Sequence, residues 1–121
     1  MNSETDRDAA PSVAPLSEGQ IEQLYDAAVT ALRTVYDPEI PVNIYDMGLI
    51  YHIEITPPGA ASVRMTLTSP NCPAAESLPA DVKRKVSDLP GITSTNVEIV
   101  WDPQWTPEKM TEAARLELGM W

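Results

Sequence analysis

Apolar residues recur at helical spacing from the first fifth of the chain. Ile21, Leu24, Tyr25, Ala28, Leu32 and Val35 fall on one face of a helix. Ser17 stands just ahead of them with Gln20 three residues on, the pattern of a capping box. The helix is expected to end near Tyr36, because Pro38 drives Asp37 out of the α region. The period then changes. Residues 49–56, LIYHIEIT, are rich in β-branched and aromatic side chains, and Pro57-Pro58-Gly59 reads as a turn. Residues 61–69 alternate, Val63, Met65 and Leu67 against Ser62, Arg64, Thr66 and Thr68, so the pair reads as a hairpin with one buried face. Helical spacing returns at Ala75, Leu78, Val82, Val86 and Leu89, with Lys83-Arg84-Lys85 on the opposite side. Pro79 predicts that this helix kinks or begins near that residue, and Pro90-Gly91 ends it. Val97, Ile99 and Trp101 alternate through residues 94–101 as a third strand, which puts Trp101 in the core. Thr106 as cap and Pro107 as first residue predict a last helix along Met110, Ala113, Ala114 and Leu118, closed by Gly119.

The predicted order is α-β-β-α-β-α, an α+β fold with a three-stranded mixed sheet and helices mainly on one face. The β-α-β part, residues 61–101, is expected to make a right-handed crossover. Residues 1–16 are polar, with Ala and Pro, and are expected to be a disordered lead-in to a single domain over 17–121. A three-stranded sheet has exposed edges, and pairing of edges into a homodimer is one way to cover them. The segments 37–48 and 102–107 are loops rich in proline.

Composition narrows the function. The 121 residues carry a formal charge of −10, with one cysteine, one histidine and twelve prolines. One cysteine excludes an internal disulfide and a zinc site built from several cysteines of one chain. The acidic charge is spread along the chain and argues against nucleic acid or an anionic membrane surface as partner. No apolar run nears the ~20 residues of a membrane-spanning helix. The opening residues lack a basic start and an apolar stretch, so the expected setting is cytoplasmic and reducing.

Cys72 is the residue of obvious reactivity. Pro70 and Pro73 bracket it between a strand and a helix start, where backbone N–H groups favour a thiolate. A small buried hydrophobe is the alternative fate for a free cysteine. His52 sits mid-strand beside Glu54 on the face away from the core, so no base is assigned to Cys72. Asp37 and Glu39 flank Pro38 and could cap, brace a loop or bind a cation, but two carboxylates and one thiolate do not complete a metal shell. Trp105 could lock its loop or, if exposed, mark a partner surface, and the role of Trp121 is open.

Three segments, in order, resemble the SufT/PaaD-like proteins of iron–sulfur cluster assembly. The first is Asp37-Pro38-Glu39-Ile40-Pro41 with Val42-Asn43-Ile44-Tyr45-Asp46-Met47-Gly48-Leu49-Ile50. The second runs from Met65 through Thr68-Ser69-Pro70-Asn71-Cys72-Pro73, and the third from Val97 through Trp101-Asp102-Pro103-Gln104-Trp105-Thr106-Pro107 to Met110. The resemblance implies the small iron–sulfur cluster assembly fold and an accessory role in assembly or maturation, not an enzyme. It maps the functional pocket onto Cys72, Asp37, Glu39, Thr68 and Ser69, with Cys72 as a transient ligand of iron or of an iron–sulfur cluster and no firm cofactor. It implies assembly proteins and client apoproteins as partners. The absence of extra cysteines in the C-terminal part favours the SufT side. The readings that compete with it are a cysteine-dependent pocket enzyme, a maturation factor of a phenylacetate-degradation oxygenase, and an adaptor in which Cys72 is only core.

Overall fold

The computed structural model describes residues 15–37, 40–68 and 77–119. Expectations for residues 1–14, Met120 and Trp121 lie outside them. Helix α1, Glu18–Leu32, starts on the capping box foreseen above: Ser17 Oγ accepts from Gln20 N–H at 3.2 Å, and Gln20 Oε1 accepts from Ser17 N–H at 2.8 Å. It stops at Leu32, short of Tyr36. Thr34 Oγ1 donates to Ala31 O at 2.6 Å, and the Val35 carbonyl accepts from Ile44 N–H instead of closing another helical turn. Tyr36 then pairs with Asn43 in an isolated antiparallel bridge, so the proline-bearing loop folds back on itself.

Strands β1, Ile50–Ile55, and β2, Ala60–Met65, pair antiparallel. Helix α2, Ser77–Ser87, connects to β3, Ser94–Ile99, which lies parallel to β2, giving the sheet order β1-β2-β3. Pro79 is the third residue of α2, in the first turn where its missing N–H costs no helical bond, so no kink arises. Helices α1 and α2 pack on the face carrying Ile53, Ile55, Ala61, Val63 and Met65, all buried. The other face is open and polar, with His52, Glu54, Arg64, Asn96 and Glu98 exposed. No helix among the described residues is long and apolar enough to cross a membrane.

The C-terminal third corrects two expectations. Trp101 is not core: it is 47% exposed. β3 ends at Ile99; Val100 N–H still bonds Met65 O at 2.8 Å, and the chain leaves the strand's alternation before Trp101. The last helix does not start at Thr106, whose side chain makes no capping bond. Pro107–Lys109 form one 3-10 turn, Met110 is extended and buried, and α3 spans Glu112–Glu117. The true cap is Thr111, whose Oγ1 accepts from Ala114 N–H at 3.1 Å. Met110 takes an extended backbone, φ −72° and ψ 147°, and that splits the predicted helix.

Candidate functional site

Asp37, expected in the functional pocket, follows the Tyr36–Asn43 bridge. It is a buried acidic residue, 7% exposed, and its carbonyl accepts from Ile40 N–H at 3.2 Å. Burying a carboxylate is costly unless polar groups meet it, and Asp37 is engaged by an interaction of its own. Thr68, the second expected pocket residue within the described segments, is half-buried just past the end of β2. Glu39, Ser69 and Cys72 lie outside the described residues. Among those described, no three His, Cys, Asp or Glu side chains gather as a metal would require.

The chain segments that flank these positions are tied together at one end of the sheet. Thr66 N–H donates to Leu49 O at 2.8 Å, so the first loop and the exit from β2 adjoin. The segment after β3 crosses the same end. Val100 N–H reaches Met65 O, the Tyr51 hydroxyl donates to Pro103 O at 2.9 Å, and Trp105 Nε1 donates to Met47 O at 2.8 Å. Thr111 N–H closes on Asp46 O at 2.9 Å. Trp105 therefore locks its loop as the sequence suggested. Gly48, at φ +82°, permits this approach, since a Cβ there would run into the Lys109 backbone.

Asp46 holds the loop from inside: its N–H donates to Asn43 Oδ1 at 2.8 Å, and its carboxylate accepts from Asn43 Nδ2 at 3.0 Å. Arg33 comes within 3.6 Å of that carboxylate and stacks over the Tyr45 ring at 5.1 Å.

Two residues at this end escaped the sequence reading. Alternation predicts Thr66 on the polar face, yet it is fully buried, because β2 stops at Met65 and the alternation ends with it. Its Oγ1 has no hydrogen-bond partner among the described residues. Tyr51 is the extra residue of a bulge, since Ile50 faces Met65 and His52 faces Arg64. The bulge releases Tyr51 from the ladder to reach Pro103, and Lys109 Nζ lies 5.2 Å from its ring centre. Burial raises the Tyr51 pKa.

Residues 25–99 match the family described as iron–sulfur cluster assembly protein. An Fe-S protein maturation auxiliary factor of Porphyromonas gingivalis is 47% identical over 97 residues, covering 80% of this chain and 92% of that one. The Fe-S protein maturation auxiliary factor SufT of Staphylococcus aureus is 38% identical over 86 residues, 71% of this chain and 98% of that one. In structure, a domain of unknown function from Bacillus anthracis superposes with a TM-score of 0.79 at 32% identity, over 87% of this chain and 100% of that one. The chain belongs to the iron–sulfur cluster assembly protein family.

Proposed function

We propose that the protein is a cytoplasmic accessory factor in iron–sulfur cluster assembly or the maturation of iron–sulfur proteins, of the SufT branch. The observation that carries this reading is the 47% identity to a maturation auxiliary factor over 92% of that protein's length. The factor acts through a reactive Cys72, with Asp37, Glu39, Thr68 and Ser69 around it, and through contacts with assembly proteins and client apoproteins. It turns over no small molecule. The cluster, where the factor handles one, is cargo. A thiolate is a soft ligand suited to iron, but clusters usually take roughly four protein ligands. One cysteine per chain therefore supports either a cluster shared across a homodimer or docking of the client without a cluster, and ligand count favours docking.

The test compares wild type with Cys72→Ser in cells under iron limitation. Activity of iron–sulfur enzymes is expected to fall in the variant while its abundance is unchanged. Unaltered activity would refute the role of Cys72. Anaerobic reconstitution then separates the two versions: visible absorption from the folded protein supports the carrier, and its absence supports docking.

A further inference from the structure

The two edges of the sheet are not equivalent. β1 is guarded by the bulge at Tyr51, by His52 and Glu54, and by the C-terminal segment bonded across its start. β3 has no proline, no bulge and no lysine. The direction of its backbone groups follows from the ladders. Ala60 O accepts from Thr56 N–H and Thr66 N–H donates to Leu49 O, so the even residues of β2 turn their main chain toward β1. Its odd residues turn toward β3, and Val100 N–H on Met65 O fixes the even residues of β3 as their partners. Thr95, Val97 and Ile99 thus present three N–H and three C=O groups outward, and no described residue meets them. Unpaired strand groups of this kind are a template for another strand.

We propose that a second copy of this chain occupies that edge, β3 pairing antiparallel with β3 about a two-fold axis at Val97, to make a continuous six-stranded sheet. This gives an edge and a register to the homodimer of the preceding reading. Outward-facing residues must pair with outward-facing residues, which puts Val97 opposite Val97 of the second copy and Thr95 opposite its Ile99. All the outward groups of both copies are then satisfied. The half-buried Thr95, Val97 and Ile99 meet as β-branched pairs, which favour sheets. On the open face, Glu98 of each copy stands opposite Asn96 of the other. Moving each strand one residue toward its C-terminal end would centre the pair on Glu98 and set two carboxylates face to face, so charge selects against it. A two-fold axis makes the pairing self-complementary and closed.

The experiment uses the metal-free full chain carrying Cys72→Ser, so that a dimer held by thiolates or by a shared cluster cannot form. Sedimentation equilibrium over a concentration series is expected to show a monomer–dimer equilibrium. Asn96→Glu, at an exposed position, should weaken it about two- to thirty-fold through two symmetry-related like-charge pairs, and Asn96→Lys should tighten it. Val97→Cys should cross-link the copies under copper–phenanthroline oxidation, since directly opposite Cα atoms lie about 5.5 Å apart. Glu98→Cys should not cross-link, because its counterparts in this register lie beyond disulfide reach. A monomer at every concentration, a dimer found only with Cys72 present, cross-linking through Glu98→Cys, or an extended client peptide on β3 of a monomer would each overturn the proposal. The cellular test of Cys72 can succeed or fail independently of all four.

Discussion

Replacing Thr66 by Val should stabilise this protein. The hydroxyl is enclosed, with no exposure of the residue and no partner for Oγ1 among the described residues. An unsatisfied buried polar group costs about 1–3 kcal/mol, and exchanging it for an apolar group of the same shape removes that cost. Valine is that shape, keeps the branched Cβ, and leaves the Thr66 N–H bond to Leu49 O untouched. With about 3–5 °C per kcal/mol for a domain of this size, the melting temperature should rise by roughly 3 °C or more. Calorimetry and urea denaturation at unchanged m-value are the assays. A fall in melting temperature would refute the reasoning, since it would mean that the hydroxyl is bonded and not orphaned.

Trp105→Phe removes the donor to the Met47 carbonyl and should cost about 1–3 kcal/mol, measured by urea unfolding; no loss would show that the bond does not hold the loop. Gly48→Ala forces a Cβ toward the Lys109 backbone at φ +82° and should cost at least about 1–2 kcal/mol, with hydrogen exchange rising in residues 103–111. Tyr51 binds its proton more tightly folded than unfolded, so stability should be constant below its ordinary pKa of 10.0 and fall as pH rises beyond it, a slope that Tyr51→Phe abolishes. Glu108 is the opposite case. Its own backbone N–H and then the Thr106 hydroxyl lower its pKa below 4.5, so the small stabilisation it gives is present above that value and lost as pH falls through the folded pKa. Glu108→Gln should flatten that acid limb in thermal melts.

Much of the fold was legible in local patterns. The capping box at Ser17, the alternation of Val63, Met65 and Leu67, and the helical set Leu78, Val82 and Val86 each report a face that is buried. Patterns failed where tertiary bonds end an element early. Trp101 continued an alternation whose strand had already ended at Ile99, and Thr66 did the same past the end of β2 at Met65. Thr106-Pro107 is a sound helix start in sequence, but Met110 is extended and the cap moves to Thr111. Asp37 and Thr68 were legible as candidates through the motif they belong to. The burial of Asp37 was not, because it depends on how the loop from Tyr36 to Asn43 closes.

The bonds from Tyr51 to Pro103 and from Trp105 to Met47 join residues 52 and 58 positions apart. During synthesis, α1, the hairpin and α2 are all made before the residues that complete this end of the sheet. Until then the Met47 carbonyl and the Tyr51 hydroxyl can be met only by water. The nascent chain therefore cannot close the end of the sheet where β2 finishes until residues 103–105 have emerged, well after the hairpin itself is made.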